Sequence, residues 1–181
     1  MDDRTPDGAT QPRGGFADAR QGDGRAAAGG DPVPPSPEGP VSTLVCRSCG
    51  KRNRIRPSPR GVPACGACHA TLPWIVSAGD ATFDAEANAA VAVLVDLWAP
   101  WCGPCRVVSP IVEELARDHA GRLKVVKVNV DDNPALARRF SAFSIPTLVV
   151  LSGGRVVDRL VGAVPKSQLA ILLAPYLVRR A

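Results

Sequence analysis

Two cysteines separated by Gly-Pro, Cys102-Gly103-Pro104-Cys105, stand at a change of pattern in the chain. Before them runs an apolar, β-branched stretch ending at Trp98; after them Val107, Val108, Ile111, Val112, Leu115 and Ala116 recur at three- and four-residue spacing. The spacing predicts a strand, a tight connection and a helix whose first turn carries Cys102. A thiol there meets unpaired backbone N–H groups and the positive end of the helix dipole. Both favour the thiolate, which is the nucleophile. A second thiol three residues on can attack the mixed disulfide that the first one forms. The chemistry indicated is dithiol–disulfide exchange.

A second set of thiols lies upstream. Cys46-Arg47-Ser48-Cys49 and Cys65-Gly66-Ala67-Cys68 are separated by fifteen residues, a spacing that reads as a zinc site. Four thiolates would form a closed tetrahedral shell holding one zinc per chain. Gly50 and Gly66 are expected to help the two turns close. Two disulfides or a set of free thiols are the alternatives. Cys65-Gly66-Ala67-Cys68-His69 also matches covalent haem attachment, but the only methionine that could be a second axial ligand is Met1. His69 reads as a surface or substitute ligand residue, and His119 as a helix-end residue. Nucleic-acid binding ranks low, because no aromatic residue lies between Cys46 and Cys68 to stack on bases.

The net charge of +5 is unevenly spread. Residues 1–40 carry seven acids and four bases, residues 41–76 six bases and no acid, and residues 77–181 ten acids and twelve bases. Residues 1–40 are rich in Gly, Pro, Asp, Ala and Arg and are expected to be a disordered tail, since they cannot bury enough apolar surface to offset ordering. Residues 41–72 are expected to form the small cysteine module, whose bases would offset the negative charge of a zinc–tetrathiolate, and residues 73–181 the main domain. The polar start, Met1-Asp2-Asp3-Arg4, has no apolar export signal, and no run is long enough for a membrane span. The expected setting is therefore cytoplasmic and reducing, where paired cysteines serve metals or catalysis.

The elements that must position the exchange pair follow from periodicity. Strands are expected at Trp74–Val76, Val91–Trp98, Leu123–Val130, Thr147–Leu151 and Val156–Val161, the last two joined by a hairpin at Ser152-Gly153-Gly154-Arg155. Helices are expected at Asp80–Ala89, at Cys102–His119 with a kink at Pro110, at Pro134–Phe140 capped by Asp132 or Asn133, and at Pro165–Val178. The order β-α-β-α-β-α-β-β-α gives an α/β fold with a mixed sheet between helices.

Trp101-Cys102-Gly103-Pro104-Cys105 resembles the active-site motif of the thioredoxin family. The flanks Val95-Asp96-Leu97-Trp98-Ala99, Lys127-Val128-Asn129-Val130-Asp131, Ser144-Ile145-Pro146-Thr147 and Val161-Gly162-Ala163 agree with it. The resemblance spans roughly residues 74–180. With the four-cysteine module it is similar to the zinc-binding bacterial branch, the thioredoxin 2 type. It implies a thioredoxin fold behind a zinc-ribbon-like module. It implies that Cys102 is the more exposed, attacking thiol and Cys105 the resolving one. Asp96 would be a buried carboxylate near Cys105 that accepts its proton, with Lys127 as its neighbour. Pro146 would be cis, and Ile145, Trp101, Gly103, Pro104 and Gly162 would contact the client chain. Trp98 is read as core packing. Two positions depart: Arg106 stands where lysine is common, and Pro100 stiffens the loop entrance.

The activity implied is protein-disulfide reduction. The partners are disulfide-containing clients and a thioredoxin reductase drawing on NADPH, with no organic cofactor on the chain itself, no nucleic acid, no membrane, and a monomeric state. The alternative is a zinc-module redox sensor or binding adaptor that uses the main domain as scaffold.

Overall fold

The computed structural model describes residues 42–55 and 61–177. The tail expected over residues 1–40 lies outside them. Strands β1 (Ser42–Val45) and β2 (Arg52–Ile55) form an antiparallel hairpin. Then follow β3 (Trp74–Ser77), α1 (Phe83–Ala87), β4 (Ala92–Trp98), α2 (Gly103–Asp118), β5 (Leu123–Asn129), α3 (Pro134–Arg139), β6 (Thr147–Ser152), β7 (Arg155–Val161) and α4 (Lys166–Leu173) with a 3-10 turn at Ala174–Tyr176. The main sheet has the order β3-β5-β4-β6-β7. Strands β3, β5 and β4 are parallel; β6 runs antiparallel to β4 and β7 antiparallel to β6. This is the mixed thioredoxin-type sheet that the element order implies.

The central strand β4 is buried on both faces, which is why it reads as an unbroken apolar run. Side chains alternate between the two faces. Val93, Val95 and Leu97 pack with Phe83 and Ala87 of α1 and Leu136 of α3. Leu94, with Val125, Leu148 and Val150, packs under Val108, Val112 and Leu115 of α2 and Leu169 and Leu173 of α4. Asp96 shares the parity of Leu94, so it lies on the face covered by α2. It sits inside β4 rather than at its end, paired in register with Lys127 of β5 and Leu148 of β6.

Three elements differ from expectation. Helix α1 starts at Phe83, not Asp80, because the Asp80 carboxylate is used elsewhere: it accepts from the backbone N–H groups of Ala135 (3.3 Å) and Leu136 (3.0 Å) at the start of α3. Asn133 holds the cap position of α3 without a side-chain cap bond; its Oδ1 instead accepts from Asp80 N at 2.8 Å. A Cβ on Gly79 would lie 2.6 Å from that oxygen, so glycine is required for the approach. At the C-terminus, α4 stops early and Pro175 falls in the 3-10 turn. Pro110, where a kink is expected, lies inside the single helix Gly103–Asp118.

The cysteine module has a small core of Cys46, Ile55, Cys65 and Leu72. It abuts the turn after α2: a Cβ on Gly121 (φ +85°) would come within 3.1 Å of Thr71 Cγ2 and 3.6 Å of Val62 Cγ1. Among the described residues no helix is long and apolar enough to cross a membrane.

Candidate active site and metal centre

Cys102 is the N-cap of α2 and is joined to Cys105 by a disulfide. Its Sγ accepts from Cys105 N at 3.1 Å, one of the N–H groups a helix start leaves unpaired. Pro104 suits the first turn because it has no N–H to leave unpaired, and Gly103 and Pro104 are both exposed there. The two sulfurs pack with Ala99, Trp98, Val130 and Ile145. Cys102 and Cys105 are equally covered, each 3% exposed, so the difference in exposure expected between them is absent from this disulfide form.

Asp96 is 1% exposed, and neither carboxylate oxygen has a hydrogen-bond partner in the protein. Burial pushes its carboxyl up to about 6, against the pull of Lys127 and with a push from Glu113. Lys127 Nζ donates to Ser109 Oγ at 2.9 Å, lies 3.5 Å from Glu113 Oε1, and stands 5.6 Å from the Trp98 ring. Trp98 is therefore more than core filling: it lines both the lysine and the disulfide.

The rim is assembled from three loops. Trp101 is 68% exposed and its Nε1 donates to Asp131 Oδ2 at 2.9 Å. The Ile145–Pro146 bond is cis, as the resemblance implies. Gly162 (φ +95°) donates its N–H to the Pro146 carbonyl at 2.8 Å, tying its turn to the proline loop. Its left-handed backbone accounts for the glycine there. Arg106 donates to the Pro100 carbonyl at 3.1 Å, so the two departures from the family pattern brace one another. Sequence reasoning missed the anchoring of the proline loop. Arg159 donates to the carbonyl of Ser141, which is itself left-handed (φ +47°), and Phe143 projects 86% exposed from the same loop. No residue pattern signals that arrangement; the lone aromatic at 143 was the one available hint.

The upstream thiols converge. The Sγ atoms of Cys46, Cys49, Cys65 and Cys68 all lie within 4.8 Å of one another, with Cys46–Cys68 at 3.6 Å and Cys49–Cys65 at 3.5 Å. These separations are far from a disulfide, and all four are free thiols. A tetrahedral ion with bonds of about 2.3 Å to sulfur would want sulfurs about 3.8 Å apart. The donor set fits such an ion.

Two matching turns present the sulfurs. Cys46 N donates to Lys51 O and Gly50 N to Cys46 O; Cys65 N donates to Ala70 O and His69 N to Cys65 O. Gly50 (φ +72°) and His69 (φ +59°) hold equivalent left-handed positions. His69, rather than Gly66, is thus the counterpart of Gly50, and it stands outside the sulfur cluster. Backbone N–H groups of Cys68 and Ala67 bring the Cys65 thiol down to about 6. Burial opposes the same effect at Cys46, but the N–H groups of Ser48 and Cys49 still lower it. Cys49 goes the other way: the Lys51 N–H favours its thiolate, but the Cys68 and Cys65 sulfurs push it up to about 12. Four thiolates so close together need a cation to coexist. Asn53 supports the shell, its Nδ2 pointing at Cys65 Sγ (3.6 Å) and its Oδ1 accepting from Gly66 N (3.0 Å).

Residues 74–174 match the family model described as Thioredoxin. Thioredoxin 1 of a Nostoc species is 52% identical over 99 residues, which cover 54% of this chain and 92% of that protein. Thioredoxin of Haemophilus influenzae is 47% identical over 97 residues, covering 53% and 91%. Thioredoxin of Staphylococcus aureus is 46% identical over 103 residues, covering 57% and 98%. With an exchange disulfide capping α2 on a mixed five-stranded sheet, this chain belongs to the thioredoxin family of thiol–disulfide oxidoreductases.

Proposed function

We propose that the protein is a protein-disulfide reductase of the zinc-binding thioredoxin 2 type. The observation that carries this reading is the Cys102–Cys105 pair at the start of α2 with the unpartnered, buried Asp96 on the strand before it. In the reduced form the Cys102 thiolate attacks one sulfur of a client disulfide and expels the other as a thiolate. Cys105 loses its proton to Asp96 and attacks Cys102 Sγ, releasing the second client sulfur. The client gains two thiols and the Cys102–Cys105 disulfide forms. A thioredoxin reductase drawing on NADPH returns the pair to dithiol. Lys127 balances the charge near Asp96, and Trp101, Gly103, Pro104, Ile145, Pro146 and Gly162 form the surface that meets the client chain.

The module over residues 41–72 is a separate unit from the reductase domain over residues 73–181. Zinc held by Cys46, Cys49, Cys65 and Cys68 would be structural or redox-linked, one per chain. A small domain with so little core needs such a link. The setting proposed is the cytoplasm, where the four thiols stay reduced, and the working state is a monomer.

Insulin-disulfide reduction with dithiothreitol tests the reading. Wild type should accelerate turbidity strongly and Cys102→Ser should not. Equal rates would end the enzymatic reading and leave the sensor or adaptor alternative.

A further inference from the structure

Asp96 and Lys127 are register partners on β4 and β5, on the sheet face that α2 covers. Opposite charges so placed would be expected to pair. They do not: both Asp96 oxygens lack a hydrogen-bond partner, while Lys127 Nζ is engaged by Ser109 Oγ at 2.9 Å and Glu113 Oε1 at 3.5 Å. Cys105, Ser109 and Glu113 are spaced four apart on α2, so one stripe of the helix carries the resolving cysteine and both anchors of the lysine.

We infer that Ser109 and Glu113 are positioning residues that hold the Lys127 ammonium on α2 and away from Asp96, keeping Asp96 a strong enough base to take the Cys105 proton. The inference rests on the proton-accepting role given to Asp96 above. The groups facing Asp96 can be named element by element. Lys127 comes from β5 and Glu113 from α2. Leu148 is its neighbour on β6, and β4 has no other titratable residue. An ammonium in contact would hold the carboxylate ionised and weaken it as a base. Glu113 acts twice: it draws the ammonium off, and its own negative charge favours the protonated form of Asp96.

The test is a carbon-13 carboxyl NMR titration of Asp96 in the full-length disulfide form, in which Cys102 and Cys105 do not titrate. Glu113→Gln should lower the Asp96 midpoint by about one pH unit. Ser109→Ala should lower it by less, Glu113→Asp should keep it near wild type, and Lys127→Met should raise it. Glu113 is partly exposed, so its glutamine variant retains the packing of α2. A midpoint unchanged or raised in Glu113→Gln overturns the inference. Insulin reduction against pH, run on the same variants, separates the two claims. If the NMR midpoint falls while the acid limb of turnover stays, the positioning stands and the proton-transfer role of Asp96 fails.

Discussion

The indole of Trp101 is tied to Asp131: Nε1 donates to Oδ2 at 2.9 Å, joining the residue before Cys102 to the turn after β5. An exposed ring would otherwise sample several rotamers. The bond fixes the ring beside the disulfide and lowers the entropy lost when a client covers it. A bond of this kind contributes roughly 1 kcal/mol, or about fivefold in affinity. Asp131→Ala should therefore raise KM for a protein client about fivefold. Its rate with a small disulfide, which does not span the ring, should be unchanged. Parallel assays with insulin and with a small linear disulfide such as hydroxyethyl disulfide check this.

The raised Asp96 has a thermodynamic signature. Its folded value of about 6 stands above the ordinary value of 3.8, so the native state holds this proton more tightly than the unfolded chain. Stability then falls as pH rises from about 4 to about 6 and is level above that. The cost at pH 7.5 is about 3 kcal/mol. Asp96→Asn should be more stable than wild type at pH 7.5 by an amount approaching this, with no gain at pH 4. Urea unfolding at the two pH values measures the difference. The same variant should slow insulin reduction.

On the opposite face, Lys124 is fully buried against Glu86 at 2.6 Å and stacks 4.3 Å from the Trp74 ring. Burial lowers its proton affinity against the pull of Glu86. Glu86→Ala takes a carboxylate away from a buried ammonium, so it should cost about 3–5 kcal/mol in urea unfolding. The double change Glu86→Leu with Lys124→Met should recover most of that, because it leaves no buried ion behind.

The sulfur cluster makes a graded prediction. Purified reduced protein should carry about one zinc per chain, and Cys46→Ser should bind far less. Asn53→Ala should keep the stoichiometry but weaken binding about tenfold, since Asn53 orients Cys65 and its turn. Metal analysis and competition with a chelator check both.

Much of this site is legible in the residue pattern because local signals agree with the fold. The apolar run of β4, the Gly-Pro between the cysteines and the paired C-x-x-C turns each carry their own spacing. What stayed hidden depends on contacts between distant segments. Asp80 reads as the start of a helix and instead caps α3, 55 residues away. Nothing in the residue spacing marks Glu86 as the partner of a lysine on β5. The resemblance marks Asp96 as buried, but which helix covers it follows only from strand parity, which turns it under α2. Ser109 and Glu113 look like ordinary helix surface until β5 brings Lys127 to them. His69 takes a left-handed turn that glycine fills in the first knuckle, a position no composition rule assigns to histidine.

The cysteine module meets the main domain at Gly121, beyond the C-terminal end of α2, whereas Cys102 caps its N-terminal end. Sixteen helical residues hold the two ends about 24 Å apart. In a chain with six cysteines, the whole length of α2 separates the residue that caps it, Cys102, from the turn that the cysteine module touches.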